Sequence, residues 1–505
     1  MTDDRRNFFQ QVGSGLLGAA LTSLLGRDLF AAESPAGAGT ESGADLGANG
    51  DGASGGSSGA GSSSRGPWFD LKPRPPHFRP RARSVIHLFM NGGPSQMDLF
   101  DPKESLEKHH GEAHFDKIAG EVESPQAAGS LMKGLFKFQR RGACGMWVSD
   151  AMPHLARCVD DIALLQGMYT TNLTHEPAIF KIHSGQELMG HPALGSWVTY
   201  GLGSENQDLP AYIVLDDPRG LPINKTQSWH NGYLPPQFQG TRFRSTGSPV
   251  LNLKRDYDEP DDITRMERDL LSRLDRIHRA SRPYQPQLDA RIASYELAAR
   301  MQLAATDALD LKQETQATLD LYGIGREPTD SYGRRCLYAR RLVERGVRFV
   351  QLFIDGQIWD NHTGLLGGLK SACDRTDLPI AGLLTDLKQR GLLDETLVVW
   401  GGEFGRLPIA QLPADRDESK AGRDHNKNAM VSWLAGGGVR GGVTHGGTDD
   451  FGFAAVEGRV SVGDFHATML HLLGLHHEQL FFTRNGLNSR LTGVQEVRVV
   501  REILV

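Results

Sequence analysis

The stretch that decides the fold is TLVVWGGEFGR, residues 396–406. Its apolar start predicts a strand buried on both faces, and a polar cluster containing Glu403 follows directly. The run VRFVQLFI, residues 347–354, has the same character and precedes WDNHTG, residues 359–364. A third polar cluster is GRDHN, residues 422–426. Because parallel strands deliver their following loops to one edge of a sheet, these carboxylates and histidines predict a metal or catalytic site.

Working outward, further apolar runs predict strands at 84–90, 162–165, 211–215 and 430–434, and helical spacing predicts helices at 334–345, 378–389 and 464–473. Helices that alternate with buried strands are typical of an α/β fold, here with a mostly parallel central sheet and helices on both faces. Between about 260 and 325, leucines at helical spacing stand among many charges. Pro283 and Pro286 break this pattern, which predicts an insertion of two helices.

The N-terminal segment is predicted to lie outside this domain. DRRNFF, residues 4–9, is a twin-arginine pattern, and a soft apolar run from Val12 to Leu25 follows it. We interpret residues 1–32 as a twin-arginine signal peptide and expect export to the periplasm or cell envelope. Residues 33–79 are rich in glycine and serine and end in prolines, which predicts a disordered linker. The α/β domain then occupies residues 80–505.

Composition excludes several classes of partner and site. The 505 residues carry a net charge of -6, and no basic block suggests a nucleic-acid surface. No segment of the mature chain reaches 18 consecutive apolar residues, so we expect no transmembrane span. The 4 cysteines have no CxxC spacing, which argues against a thiolate zinc site.

A family resemblance emerges from these motifs in combination. The twin-arginine pattern, GGPSQMDLFDPK at residues 92–103, WDNH, GEFGR and GRDH together resemble DUF1501, exported proteins without an established reaction in the alkaline phosphatase superfamily. The resemblance runs from about residue 80 to the C-terminus. The segment 387–405 is also similar to the strand that carries the Asp-His metal pair of sulfatases and alkaline phosphatases, and 462–474 to the helix that closes the sulfatase core.

The resemblance implies an alkaline phosphatase-like sheet with one or two divalent ions at its carboxyl edge. Carboxylate and imidazole ligands suit zinc, manganese or iron better than copper, and we take zinc, manganese and calcium as candidates. The implied metal ligands are Asp98, Asp360, His362, Glu403 and His425. Asn91 and Phe404 depart from the superfamily pattern, where an Asp and a His stand, which favours one ion or a rebuilt second site.

The catalytic residues implied are Thr174, His175 and Arg406. Thr174 would be a metal-activated nucleophile; alternatively, a metal-bound water attacks and His175 acts as acid or base. Arg406 or Arg423 would clamp an anionic oxygen of the substrate. Structural roles stay open as well, with Asp98 as a helix N-cap, Glu403 paired with Arg406, and the histidines as hydrogen-bonded loop residues.

The expected function is a metal-dependent hydrolase of phosphate or sulfate esters, acting on an anionic substrate such as an envelope polysaccharide or lipid. A type I sulfatase is disfavoured, because no cysteine stands in the Cys-x-Pro-x-Arg context that formylglycine formation needs. The alternative is a catalytically degenerate protein of the same fold that binds glycans or partner proteins at the envelope. The substitutions at Asn91 and Phe404 are its best support.

Overall fold

The computed structural model describes residues 70–244, 260–282 and 285–505. The predicted signal peptide and residues 33–69 of the predicted linker lie outside the described residues. The last ten residues of that linker, 70–79, pack against the domain instead of standing apart from it. Arg74 is buried there and donates hydrogen bonds to the backbone carbonyls of Thr199 and Tyr200, at 3.2 and 3.1 Å.

A nine-stranded sheet forms the centre of the described chain. Its strands, β1 to β9 in chain order, are Ser84–Phe89, Ile162–Tyr169, Tyr212–Leu215, Thr241–Phe243, Phe349–Phe353, Thr396–Gly401, Met430–Ala435, Val443–His445 and Val460–Ser461. They lie in the order β8-β2-β7-β6-β1-β5-β3-β4, and β9 also pairs with β2. Only β7 among these described strands runs antiparallel to its neighbours. The prediction of a mostly parallel sheet is therefore confirmed.

Strand β1 shows why these apolar runs become central strands. It pairs in register with β5 and with β6, so that Val85 lies between Phe349 and Leu397. Ile86 and Leu88 contribute to one hydrophobic core, whereas Val85 belongs to the other. A strand buried on both faces needs apolar residues at nearly every position, which explains the lack of polar alternation in its sequence.

Helices cover both faces of the sheet. Those of nine or more residues, α1 to α7, are His175–Ser184, Leu194–Leu202, Asp261–Ala280, Pro286–Ala308, Asp330–Glu344, Leu365–Gln389 and Val462–Leu472. Leu337 of α5 and Ile380 of α6 pack in the core that contains Ile86. Helices α1, α2 and α7 pack in the core that contains Val85. Shorter helices are Gln96–Leu99, Glu104–Lys108, Phe115–Ile118 and Gln316–Leu321.

Five two-stranded ladders lie beside the central sheet in the described ranges. They pair Gly405–Arg406 with His425–Asn426, Ile409–Gln411 with Ala128–Leu131, Phe138–Arg141 with Met146–Ser149, Gly447–Thr448 with Ala455–Glu457, and Phe482–Arg484 with Leu487–Ser489. All five are antiparallel. The first of them matters most for function, because it lies directly after β6 and directly before β7.

Two helix predictions differ in instructive ways from the structure. Helix α6 was predicted from residue 378 but begins at Leu365 and continues through Pro379. Proline removes one backbone hydrogen bond and normally ends a helix, but the buried face of α6 continues on both sides of it. The segment predicted to be an insertion contains helices α3 and α4, and Pro286 occupies the first position of α4, where proline is tolerated. No helix within the described ranges is long and apolar enough to cross a membrane.

Two histidines are fully buried in the core beside β1. His183 of α1 donates from Nδ1 to the carbonyl of Ile179 at 2.8 Å, and His466 of α7 from Nε2 to that of Ile182 at 2.8 Å. Their other ring nitrogens are buried without a hydrogen bond. Burial lowers the pKa of each imidazole to about 4, so both are neutral at pH 7.

These imidazoles should make the fold sensitive to acid. A folded pKa below the unfolded one gives stability that is complete above about pH 6.5 and is lost as the pH falls towards 4. Each histidine would contribute up to about 3 kcal/mol to this loss, at about 1.4 kcal/mol per pKa unit. Urea unfolding between pH 7 and pH 4 measures it. The variant His183→Gln/His466→Gln, less stable at pH 7, should show a flatter decline, and an unchanged slope would contradict the assignment.

Candidate metal centre

Four loops bring imidazoles and carboxylates to one edge of the sheet. Asp360 and His362 follow β5, and His175 opens α1 after β2. His425 precedes β7 and lies opposite Arg406 in the ladder that follows β6. Since β7 is antiparallel to β6 and β2, its beginning lies at the edge where those strands end.

Two glycines allow these loops to approach each other. Gly92, with φ +108°, follows β1, and a Cβ atom there would lie 2.6 Å from the backbone nitrogen of Asp360. At Gly422 a Cβ atom would lie 2.1 Å from the carbonyl carbon of His362. No side chain fits in either space, so the glycines fix the backbone contacts that bring Asp360 and His362 to the site.

The carboxylate of Asp360 is the centre of the group. Its Oδ1 lies 3.0 Å from His362 Nε2 and 3.2 Å from His425 Nε2, and its Oδ2 lies 3.3 Å from His175 Nε2. Ligand atoms of these four residues all lie within 4.8 Å of one another. Four ligands about 2.0–2.1 Å from a zinc ion in a tetrahedron are about 3.4 Å apart. The three distances from Asp360 to the imidazoles are close to this spacing, so these four residues form a candidate metal site.

The second nitrogen of each imidazole lies close to a side-chain oxygen. Nδ1 lies 2.7 Å from Glu403 Oε1 in His175, 2.5 Å from Gln411 Oε1 in His362, and 2.5 Å from Glu123 Oε2 in His425. In His175 and His362 this contact is a hydrogen bond, which keeps the proton on Nδ1 and leaves the lone pair of Nε2 for a metal, an arrangement common among metal-binding histidines. Nδ1 of His425 is buried beside Glu123 without a hydrogen bond of good geometry. All three Nε2 atoms converge on Asp360.

This convergence fits a cation. Three lone pairs directed at a carboxylate would repel it, so the site needs either protons or a metal ion between these atoms. His175 Nε2 is buried and has no hydrogen bond of good geometry. Burial disfavours charge on His175, but the carboxylates of Asp360 and Glu403 outweigh it and raise its pKa to about 9. Burial likewise opposes ionisation of Asp360, yet its three histidine partners hold its pKa well below the usual range.

Arg406 orients the carboxylate of Asp360 through a hydrogen bond. Its Nη2 donates to Asp360 Oδ1 at 2.7 Å, its Nε to the carbonyl of Gly93 at 2.9 Å, and its Nη1 to that of Arg423 at 3.0 Å. Nη2 also contacts the carbonyls of Gly92 and Trp359. The guanidinium is buried. With its donors engaged, Arg406 is placed to orient Asp360, which differs from the predicted clamp on a substrate oxygen.

Asp98 lies apart from this group, against the prediction that it joins the ligands. It forms an ion pair with Arg423, with 2.8 Å between Asp98 Oδ2 and Arg423 Nε, and both side chains are fully buried. Ser95 donates a further hydrogen bond to Oδ2. Arg423 also donates to four backbone carbonyls, so the predicted clamp role does not fit it either. The sequence neighbourhood of Asp98 suggested a ligand, but the tertiary partner of its carboxylate is an arginine.

Glu403 is close to the centre but in a supporting position. It is fully buried, accepts hydrogen bonds from the Gly92 backbone nitrogen at 2.9 and 3.2 Å, and orients His175 through Nδ1. The structure brings Asp360, His362 and His425 together. His175, predicted as an acid or base, joins them as a fourth potential ligand.

Thr174 lies at the rim of the centre. It precedes α1, but its side chain does not cap the helix and instead lies 3.4 Å from Glu123 Oε1. Glu123 thus contacts both Thr174 and His425. Sequence reasoning missed Glu123 and Gln411, because both come from segments without a motif and reach the site only through the tertiary fold.

The buried ion pair of Asp98 and Arg423 gives a stability prediction. In Asp98→Asn, the arginine stays buried without a counter-charge, so the free energy of unfolding should fall by about 3–5 kcal/mol. Urea unfolding at pH 7 measures this. The matched control is Asp374→Asn, which breaks an exposed ion pair with Lys370 and should cost at most about 1 kcal/mol. Metal content should be unchanged in both variants, and its loss in Asp98→Asn would make Asp98 part of the centre after all.

Comparison with known proteins gives one family and several distant structures. The lipoteichoic acid synthase LtaP from Listeria monocytogenes is 10% identical, with a TM-score of 0.34 over 84% of this chain and 79% of its own. The PsFucS1 sulfatase from Pseudoalteromonas sp. is 12% identical, with a TM-score of 0.33 over 79% and 69%. The alkaline phosphatase from the Antarctic bacterium TAB5 is 12% identical, with a TM-score of 0.29 over 78% and 98%.

Similarity at this level does not carry over a function, and no curated protein matches the chain. The family match is of a different kind, because it spans most of the sequence, residues 82–504, and is described as a protein of unknown function. The chain therefore belongs to the DUF1501 family.

Proposed function

We propose that this protein is an exported, metal-dependent hydrolase of phosphate or sulfate esters. The observation that carries the proposal is the convergence of three Nε2 atoms on Asp360, with Nδ1 of His175 and of His362 hydrogen-bonded to an acceptor. Export rests on the twin-arginine pattern at residues 4–9. The periplasm or cell envelope follows as the place of action, with a surface polysaccharide or lipid ester as the class of substrate.

The residues that would hold the ion are His175, Asp360, His362 and His425. Three imidazoles and one carboxylate favour zinc or manganese over calcium, which prefers six to eight oxygen ligands. One ion suits this set, since Asp98 is bound to Arg423 and Phe404 offers no ligand. A bound divalent ion would neutralise the charge that develops on the oxygens of an ester undergoing hydrolysis.

The surrounding side chains give the site the other properties of an active centre. The side chains of Asp360 and His362 are 19% and 33% exposed, so solvent and a substrate can reach the group. Glu403 and Arg406 are buried beneath it and hold His175 and Asp360 in place. Thr174 presents its hydroxyl beside Glu123 at the rim, which suits a nucleophile held near a carboxylate.

A binding protein without catalysis is the second candidate, and two residues favour it. Asn91 donates its side-chain amide to the carbonyls of Ile354 and Gly356, both at 2.7 Å, and so serves the backbone. The Phe404 ring packs against His175 and His425, with centroids 4.8 and 4.4 Å apart. The resemblance sets a metal ligand at each of these two positions. A protein with a reduced centre could bind glycans or partner proteins at the envelope.

Metal content decides whether the centre exists. The full-length protein, purified from a host with an intact twin-arginine pathway, should contain about one zinc or manganese ion per chain by elemental analysis. Asp360→Ala/His425→Ala should lose it, because the double change removes two of the four ligands. Asp374→Ala/His476→Ala, the same residue types away from the centre, should keep it. A folded wild type without metal, even after incubation with zinc, manganese and calcium, would sink the hydrolase proposal and promote the binding one.

An activity assay distinguishes the role of the Thr174 hydroxyl from that of the metal. Thr174→Ala should keep its metal but lose at least about 1,000-fold in kcat on p-nitrophenyl phosphate or p-nitrophenyl sulfate, if the threonine forms the covalent bond. Thr174→Ser, which keeps a hydroxyl, should retain most of the rate. Full activity in Thr174→Ala would assign the attack to water, and a metal-loaded wild type inactive on every ester tested would favour the binding candidate.

A further inference from the structure

The outer helix of the insertion, α3, leaves its apolar side chains uncovered. None of the side chains that the structure describes in α3 is buried. Five large apolar residues are between 40% and 64% exposed, namely Ile263, Met266, Leu270, Leu271 and Ile277. A contiguous apolar surface of this kind on a helix usually marks a contact with another molecule.

Four of these exposed residues form one stripe together with the half-buried Leu274. Ile263, Met266, Leu270, Leu274 and Ile277 are spaced by three or four residues, which places them along a single side of the helix. Two polar contacts of α3 with α4 come from residues outside the stripe. Arg268 donates to Gln302 at 2.8 Å, and Arg279 forms an ion pair with Asp289 at 2.6 Å. Two arginines of α3 thus contact α4, while Ile263, Met266, Leu270 and Ile277 stay between 40% and 64% exposed.

An uncovered apolar stripe contributes little to the stability of a helix of 20 residues. Isolated helices are marginal in water, and in proteins most of their stability comes from packing an apolar face. Helix α3 has that face but no packed partner for it among the described residues. A second surface is therefore expected to cover the stripe.

The charges of α3 indicate what that surface is. Residues 261–270 hold 4 acids and 2 arginines, for a net charge of -2, whereas residues 271–280 hold 3 arginines and 1 acid, for a net charge of +2. Turned end for end, the helix is complementary to itself. Two antiparallel copies would bring the acidic half of each against the basic half of the other, while parallel copies would oppose like charges.

We propose that α3 is a self-association surface, on which the stripe packs antiparallel against the same stripe of a second copy of this chain. Ile263 of each copy would lie near Ile277 of the other, with Leu270 in the middle and Asp262 near Arg276. The whole helix is electrically neutral, which disfavours an anionic membrane surface as the occupant. This inference is independent of the metal centre.

Sedimentation velocity of the full-length protein over a range of concentrations tests the proposal. The wild type should show a concentration-dependent dimer. Leu270→Glu would bury a charge at the middle of the interface and should raise the dissociation constant by about 30-fold or more. The matched control is Leu487→Glu, a change of a leucine that is 72% exposed in a hairpin elsewhere, and it should leave the dimer intact. Circular dichroism confirms that each variant remains folded.

A charge exchange tests the antiparallel arrangement itself. Asp262→Arg and Arg276→Asp should each weaken the dimer several-fold, because each puts like charges together. The double variant Asp262→Arg/Arg276→Asp should restore it, since the pair is exchanged in both copies. A wild type that stays monomeric, a dimer insensitive to Leu270→Glu, or a double variant as weak as the single ones would overturn the proposal. So would binding of the wild type to phosphatidylglycerol vesicles that Leu270→Glu abolishes, which would assign the stripe to a membrane.

Discussion

The carboxylate of Asp360 must be balanced by positive charge, and the surrounding architecture follows from that need. Three imidazoles and one guanidinium contact its two oxygens. Arg406 is buried to reach it, and Gly92 lacks a side chain so that the loop after β1 can pass beside its backbone. Glu403 in turn holds His175 and accepts the backbone N–H of Gly92. A single charged group thus sets the positions of loops from four strands.

Much of this arrangement could be predicted because it depends on short stretches of sequence. Apolar runs followed by polar clusters identify β5 and β6 and the residues after them, including Asp360 and His362. What could not be predicted depends on tertiary contacts. Asp98 lies in the short helix after β1, but its carboxylate forms an ion pair with Arg423. Glu123 and Gln411 come from segments that contain no motif. Helix α6 continues through Pro379 because a buried face on both sides of it outweighs one lost hydrogen bond.

Phe404 shows how one substitution changes the character of a site. Its ring packs against two of the three imidazoles and lies within cation–π distance of Arg406, 5.8 Å from the ring centroid. An apolar wall at this position lowers the local dielectric, which strengthens every charge interaction of Asp360. Two further carboxylates, those of Glu123 and Asp424, lie close enough to His425 to form a second possible group of ligands.

The reversed direction of β7 has a consequence for how the protein assembles. His425 comes before β7 and His175 comes after β2, and these strands are neighbours that run in opposite directions. The two histidines are far apart in the chain and come together when β2 and β7 have paired. An ion held between them would bind the native state and hardly at all the unfolded chain, so ion binding would stabilise the completed sheet.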